Sequence, residues 1–305
     1  MYTFIVNPNA RSGLGEKTWH TLERILKEQE VSYQVFFTKY QKHATKITQK
    51  LTEENMLRTI IVLGGDGTIN EVVNGISDLS STTLAYIPIG SSNDFARGMG
   101  LSTNPVTALK HILSPSRYAY LNIGALQYQE KKRRFAVSSG FGFDAAVCHQ
   151  IHVSSFKKLL NKLHLGKMIY AAAAVGKILT MTPRRMTLVL DNSRNIIFDK
   201  VYFAAAMNQN VQGGGLKFCP KADPSDDVLD IIVVAGLSKL KILILLPTVF
   251  KGWHVHFKGI YTYQCKEAKF QSEHPLPVHT DGEPVFLQRQ LHLALEDEKL
   301  RLILS

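Results

Sequence analysis

Apolar residues in the first third of the chain alternate between two patterns. Four short apolar runs predict buried strands: residues 3–6, 35–37, 59–63 and 84–89. Between these runs apolar residues recur at helical spacing, as at Trp19, Leu22 and Ile25. Continuous apolar strands that alternate with helices are typical of a parallel sheet covered on both faces. The pattern therefore predicts a doubly wound α/β domain.

After about residue 120 the pattern becomes one of hairpins. Two are predicted: residues 118–128 with 133–139 around a basic turn, and residues 186–190 with 196–206. The same pattern predicts a strand at 229–234 and helices at 156–178 and 238–250. We therefore expect a second, β-rich and mostly antiparallel domain. The predicted boundaries are 1–120 and 121–289, and whether residues from about 290 to 305 return to the first domain stays open.

Charge and composition narrow the class of protein. The chain has 305 residues and a formal net charge of +11, which favours anionic partners such as nucleotides and phospholipid surfaces. We find no motif for nucleic-acid binding. The three cysteines lie far apart, which argues against a disulfide framework and for a reducing compartment. The most apolar stretch, residues 242–246, is far below the roughly 20 residues of a transmembrane helix, so we expect a cytoplasmic protein that contacts membranes only at its surface.

The stretch Gly64-Gly65-Asp66-Gly67-Thr68 follows the third predicted strand and precedes a helical pattern. Glycines let a backbone approach a phosphate closely, and the amides at a helix N-terminus are donors for it. The carboxylate of Asp66 is a candidate for binding a ribose hydroxyl, a magnesium-bound water or an attacking hydroxyl. The stretch is neither a Walker motif nor GxGxxG. A double-glycine turn without any ligand is the alternative that this segment alone leaves open.

Two further loops follow predicted strands. Residues 7–13 come after the first strand and residues 88–97 after the fourth, and each contains small residues, a hydroxyl and an arginine. In an open α/β sheet, ligands bind outside the carboxyl ends of the strands. We therefore expect these loops to share one ligand-binding edge, with Asn7, Arg11 and Arg97 among the candidate nucleotide-binding residues.

Together these motifs resemble the diacylglycerol-kinase-type catalytic domain, and most of all its bacterial lipid kinases. The resemblance rests on Asn7-Pro8, GGDGT at 64–68, Pro-x-Gly-x-x-Asn-Asp-Phe-Ala-Arg at 88–97, and Asp281-Gly282-Glu283. It extends to Thr38 with His43-Ala44, to Gly-Phe-Gly-Phe-Asp at 140–144, and to the segment 220–230. GGDGT is shared with NAD kinases and, more loosely, with phosphofructokinases. The Asn-Asp-Phe-Ala-Arg segment and the late Asp-Gly-Glu narrow the choice to lipid kinases.

The resemblance implies a role for each matching position. The residues that would line the ATP site are Thr38, Gly64, Gly65, Asp66, Gly67, Thr68, Ile69, Asn70 and Ser91. Asp66 and Asp94 would organise the catalytic Mg²⁺ through water, and Glu283 would be the general base for the lipid hydroxyl. Asp226 would hold a structural Mg²⁺ with the main-chain carbonyls of Asp223 and Val228. Without the resemblance, Glu283 is also compatible with an exposed turn residue.

Two positions depart from the family pattern. Ser91 stands where the family has a threonine or serine and so keeps the hydroxyl. Asp227 follows the metal aspartate where the family usually has glycine, which adds a carboxylate and a side chain to that turn.

We therefore expect an ATP- and Mg²⁺-dependent lipid kinase, with diacylglycerol as the leading substrate. The alternatives are an NAD kinase or another soluble-substrate kinase, and a non-catalytic nucleotide-binding regulator. A stripe of apolar residues beside lysines in 156–167 is compatible with a helix on a membrane or with one that covers a core. A homodimer through an exposed strand edge stays open.

Overall fold

The computed structural model describes residues 1–53, 57–153 and 175–305. These residues divide into two compact units: residues 1–123 with 296–305, and residues 124–295. Within the described ranges, no helix combines the length and the apolar character needed to cross a membrane. Each unit is built around a sheet of its own.

The first unit contains a six-stranded sheet. Its strands are β1 (Tyr2–Val6), β2 (Tyr33–Phe37), β3 (Arg58–Gly64), β4 (Thr82–Pro88), β5 (Tyr118–Leu121) and β15 (Leu300–Ile303). Their order across the sheet is β2-β1-β3-β4-β15-β5, and all neighbours pair in parallel except β15 with β5. The last strand of the chain therefore completes the sheet that the first strand begins.

Helices cover this sheet: α1 (Leu14–Glu28), α2 (His43–Thr52), α3 (Asp66–Gly75), α4 (Asp94–Gly98) and α5 (Pro105–Leu113). Helix α1 buries Trp19, whose ring meets that of Phe4 on β1 at 5.2 Å between centroids. Helices α2 and α3 approach closely because residue 75 is glycine: a Cβ there would collide with the carbonyl oxygen of Thr45. The predicted α/β domain around a parallel sheet is confirmed.

The second unit has nine strands. They are β6 (Gly124–Tyr128), β7 (Lys131–Phe135), β8 (Ser138–Gly142), β9 (Arg184–Leu190), β10 (Arg194–Met207), β11 (Leu229–Ala235), β12 (Ile260–Cys265), β13 (Glu267–Thr280) and β14 (Glu283–Leu295). Their order is β12-β11-β10-β8-β13-β14-β6-β7, with β9 paired to β10 and β13, and these pairings are antiparallel. Alternate residues of β10 enter two different cores: Ala204 packs with Phe141, and Phe203 packs with Phe218. The predicted β-rich, antiparallel domain is confirmed.

Two of the elements predicted from residue 118 onward differ from the structure. The predicted hairpin 118–128/133–139 is wrong, because β5 belongs to the first sheet and the hairpin is formed by β6 and β7. The predicted helix 238–250 is α-helical only over α7 (Lys239–Leu245) and continues as 3₁₀ turns at Leu246–Lys251 and Trp253–His256. Proline at 247 has no N–H to donate, which favours this change.

Helix α6 (Phe143–Val153) follows β8. The predicted helix 156–178 lies outside the described residues except for 175–178, which are helical.

Candidate active site

The predicted nucleotide-binding loops lie at the carboxyl edge of the parallel strands. Asn7 directly follows β1, and its side-chain amide donates to Oγ1 of Thr68, just after β3, at 3.1 Å. Thr38 follows β2 and is tied to β1 through its N–H, which donates to the carbonyl of Val6 at 2.8 Å. These contacts join the ends of β1, β2 and β3 at one edge, as expected for a ligand-binding edge.

Glycines allow the loops after β3 and β4 to touch backbone to backbone. A Cβ on Gly65 would lie 3.2 Å from the Cα of Gly90, and a Cβ on Gly90 would lie 2.8 Å from the Cα of Gly65. A Cβ on Gly64 would lie 2.6 Å from Oγ1 of Thr68. Because no side chain fits between these segments, the backbone at the start of α3 stays close to the surface that a phosphate would approach.

The first turn of α3 is wound tightly around Gly65. The N–H groups of Thr68 and Ile69 both donate to the Gly65 carbonyl, at 2.9 and 3.1 Å. Ile69 and Asn70 bury their side chains, so they shape the turn rather than reach outward. Gly67 is half-buried in the first turn of the helix, where N–H groups have no partner four residues earlier.

Asp66 connects this loop to the Asn-Asp-Phe-Ala-Arg segment. Its Oδ1 accepts a hydrogen bond from the N–H of Phe95 at 3.2 Å, and Asp94 next to Phe95 is buried. Burial, and then the carboxylates of Asp66 and Asp94, raise the pKa of the Tyr86 hydroxyl well above its ordinary value. Two carboxylates therefore gather negative charge at this point, a donor set that suits a hard cation such as Mg²⁺.

The remaining predicted positions of the first unit lie on the exposed parts of these loops. Ser91 is exposed, and the Arg97 guanidinium donates to the carbonyl of Ser92 at 3.4 Å. Arg11 is exposed and has a left-handed backbone with φ of 47°. Ser91 and Arg97 thus follow β4, as Gly90 does, whereas Arg11 lies on the loop after β1.

Glu71 is a residue of this region that the sequence patterns did not indicate. Its carboxylate accepts hydrogen bonds from the N–H groups of Lys42, at 2.7 Å, and Ala44, at 3.1 Å. A carboxylate at a helix N-terminus is favourable, so Glu71 on α3 holds the start of α2 in place. The one signal that could have indicated Glu71 is that the N-cap residue of α2 is Lys42, which has no side-chain acceptor for the first N–H groups of the helix.

In the second unit Glu283 begins β14 directly after a tight turn. Asp281 and Gly282 both have positive φ, 50° and 82°, as a two-residue hairpin turn requires. The Asp281 carboxylate accepts from three backbone N–H groups at 2.8–2.9 Å, those of Ala136, Val137 and Ser138. Glu283 itself is half-buried. Glu283, the base implied by the resemblance, therefore directly follows a turn that the Asp281 carboxylate holds in place through three hydrogen bonds.

A buried histidine supports the same turn. His279 accepts a hydrogen bond at Nδ1 from the N–H of Gly282, at 3.1 Å, which leaves the proton on Nε2. That Nε2 then donates to Oδ2 of Asp144 at 2.9 Å. Gly140 makes room for the pair, since a Cβ there would collide with both side chains. His279 was not among the predicted residues, and Asp144 entered only as part of the family pattern.

The loop before β11 carries the predicted metal residues. Asp226 is exposed and accepts from the N–H of Val228 at 3.2 Å, and its own N–H donates to the carbonyl of Asp223 at 3.4 Å. The pKa of Asp226 is raised by loss of hydration and then by the charges of Asp223 and Asp227. Asp227 has a left-handed φ of 65°, which accounts for the family preference for glycine there, although aspartate also tolerates it.

Asp230 adds a buried carboxylate to this loop. One of its oxygens, Oδ2, has no hydrogen-bond partner, and burial followed by Asp226 raises its pKa to about 6. In residues 1–53, 57–153 and 175–305, no three His, Cys, Asp or Glu side chains are arranged to hold a metal together. A cation at this loop would therefore depend on main-chain carbonyls in addition to carboxylates.

Comparisons with known proteins agree with this geometry. The family model "Diacylglycerol kinase catalytic domain" matches residues 1–120, and the model "YegS C-terminal NAD kinase beta sandwich-like domain" matches residues 136–291. The chain is 31% identical to a diacylglycerol kinase of Mycobacterium tuberculosis over 73% of this chain and 70% of that protein. It is 28% identical to the YtlR protein of Bacillus subtilis over 92% of each chain.

A solved structure of a diacylglycerol kinase from Bacillus anthracis has the same fold. Its TM-score is 0.74 at 21% sequence identity, with 100% of this chain and 96% of that chain covered. At this identity the likeness speaks for the fold, whereas the family models and the mycobacterial relative speak for the family. The chain therefore belongs to the diacylglycerol kinase family of lipid kinases and is a phosphotransferase.

Proposed function

We propose that the protein transfers the γ-phosphoryl group of ATP to a hydroxyl of a membrane lipid, with diacylglycerol as acceptor and phosphatidic acid as product. The observation that carries the proposal is the junction of the two strand-end loops, in which Asp66 binds the N–H of Phe95 at 3.2 Å beside the Gly65–Gly90 contact. Phosphoryl transfer depends mostly on positioning and charge neutralisation, which a glycine turn and paired carboxylates provide.

The proposed site residues have separate roles in one phosphoryl-transfer reaction. The backbone at the start of α3 binds phosphate oxygens, and Asn7 and Thr38 fix the loops around it. Asp66 and Asp94 would hold a Mg²⁺ ion through water, and that ion would neutralise charge on the transferred group. The lipid hydroxyl oxygen forms a bond to the γ-phosphorus as the bond from that phosphorus to the bridging oxygen of ADP breaks. Glu283 accepts the hydroxyl proton.

The acidic loop fits a second, structural cation. A bound divalent cation would offset two features of this loop: the unpartnered Oδ2 of buried Asp230, and the raised pKa of Asp230, which comes from burial and then from the charge of Asp226. We propose that Asp226 supplies a carboxylate and that Asp223 and Val228 supply their carbonyl oxygens.

Mg²⁺ is therefore expected to raise the melting temperature of the ATP-free protein, because a ligand bound only by the folded state stabilises it. Asp226→Ala should abolish that rise in differential scanning fluorimetry. Asp199→Ala, which removes an exposed carboxylate of β10 in the same unit, is the control, and its response to Mg²⁺ should persist. A wild-type melting temperature that ignores Mg²⁺ would contradict the structural site.

Acceptor identity is tested with γ-labelled ATP and a panel of acceptors: diacylglycerol and monoacylglycerol in mixed micelles, and NAD in solution. We expect label in phosphatidic acid, little in lysophosphatidic acid and none in NADP, with Asp66→Asn as the inactive blank. Label in NADP would favour the NAD kinase alternative. ATP binding without transfer to any acceptor would favour a non-catalytic regulator.

A further inference from the structure

A short stretch of the second unit shows large apolar side chains to solvent. Five such residues, here called the exposed patch, lie on helix α7, on the two 3₁₀ turns after it and directly after the second turn: Leu240 (68% exposed), Ile244 (65%), Phe250 (57%), Trp253 (62%) and Phe257 (41%). Leu240 and Ile244 are four residues apart and so share one face of α7. Five large apolar side chains within 18 consecutive residues are more than the scattered exposure of an ordinary surface.

The backbone beneath the patch is firmly anchored, so the exposure of the patch side chains does not result from loose packing. Leu245 and Val249 are buried in the core of the unit. His254 is buried, and its Nε2 lies 3.0 Å from the carbonyl oxygen of Phe218. The carbonyl of Val249 accepts from the N–H of Lys217 at 3.1 Å. One side of the segment is thus fixed to the unit while the other presents the patch.

The segment that carries the patch has charge of a single sign. Lys241 and Lys251 are exposed between the apolar residues and Lys258 is exposed directly after them, and no aspartate or glutamate occurs from residue 237 to residue 266. Lysines that alternate with leucine, phenylalanine and tryptophan are typical of segments that lie in the interface of an anionic membrane. Each lysine near such a surface adds to the attraction.

We propose that the exposed patch docks the protein on an anionic phospholipid surface, with its aromatic and aliphatic side chains inserted among the head groups and its lysines on the lipid phosphates. A twofold contact between two copies of the chain is disfavoured, because the same lysines would face each other. The proposal deepens the proposed lipid kinase function, since it names the surface through which the enzyme reaches its substrate.

Trp253 supplies a built-in probe. The chain has two tryptophans, and the other, Trp19, is buried in the first unit. Adding vesicles of phosphatidylglycerol and phosphatidylcholine to the whole protein, without ATP or acceptor, should shift the emission to shorter wavelength. Brominated lipid should quench it. Vesicles of phosphatidylcholine alone should have a much smaller effect at the same lipid concentration.

Two variants test the patch and keep the probe. Phe250→Ser/Phe257→Ser should weaken vesicle binding, and Lys251→Glu/Lys258→Glu should raise the Kd about tenfold or more by the loss of two lysine contacts. The controls are Ile197→Ser, which removes an exposed apolar residue of β10, and Lys50→Glu/Lys110→Glu on the first unit. Control variants should bind as the wild type does.

The proposal is overturned if Trp253 emission does not respond to anionic vesicles, or if the patch variants bind like the wild type. It is also overturned if the patch variants abolish a concentration-dependent self-association measured by light scattering, which would make a second copy the occupant. Turnover of a short-chain, water-soluble diacylglycerol distinguishes the docking proposal from the proposed lipid kinase function. The patch variants should keep that turnover, whereas a protein that docks on vesicles but phosphorylates no lipid hydroxyl would refute the function alone.

Discussion

Glu283→Gln is expected to lower kcat by about 10²–10⁴-fold, the usual contribution of a positioned general base. Glutamine keeps the size of the side chain and most of its hydrogen bonds but cannot accept the proton of the lipid hydroxyl. The turn should stay in place, because it is held by Asp281 through three backbone N–H groups and by His279 through the N–H of Gly282. The KM for ATP and the melting temperature should therefore stay near those of the wild type.

Steady-state kinetics with diacylglycerol in mixed micelles measures this effect. Glu273→Gln, an exposed change on β13 of the same unit, is the matched control and should keep full activity. A Glu283→Gln enzyme that retains most of its kcat would place the base elsewhere, with Asp66 as the next candidate. A large loss of melting temperature would instead mean that Glu283 is needed for the fold.

Asp66→Asn is expected to reduce kcat by at least about 10²–10³-fold, the scale seen when one element of a preorganised charge-stabilising site is removed. The asparagine Oδ1 can still accept the hydrogen bond from Phe95, so the junction between the two loops should survive. The variant lacks the negative charge that lies near Asp94, and it should therefore bind a cation more weakly. The variant should therefore remain folded and respond less to Mg²⁺ in its kinetics.

Circular dichroism, thermal melting and the Mg²⁺ dependence of kcat distinguish a catalytic loss from a structural one. Glu28→Gln, on the exposed side of α1, is the control in the same unit and should behave as the wild type. Undiminished turnover by Asp66→Asn would contradict the assignment of the GGDGT turn to the ATP site.

The parts of the molecule that were predictable from sequence depend on local patterns. Continuous apolar runs fixed β1, β3 and β4 to within about two residues, and glycines directly after them marked the loops that meet at Gly65 and Gly90. Buried parallel strands read as unbroken apolar runs, which makes this kind of element readable.

The parts that were not predictable depend on contacts between distant residues. Asp144 and His279 are 135 positions apart, and each alone has the appearance of an ordinary helix or strand residue. The strand β5 looked like half of a hairpin because its partner, β15, comes at the other end of the chain. Such pairings follow from the closure of the fold, and a pattern within one segment carries no trace of them.

The position of β15 between β4 and β5 has a consequence for biosynthesis. The first sheet needs residues 296–305, and the N–H groups of Ser116 and Arg117 donate to the carbonyl of the last residue, Ser305. At a translation rate of about 5–20 residues per second, residues 124–295 take on the order of 10–35 seconds to synthesise. During that time β4 has an open edge, so the nascent first unit depends on late sequence, or on a chaperone, to close it.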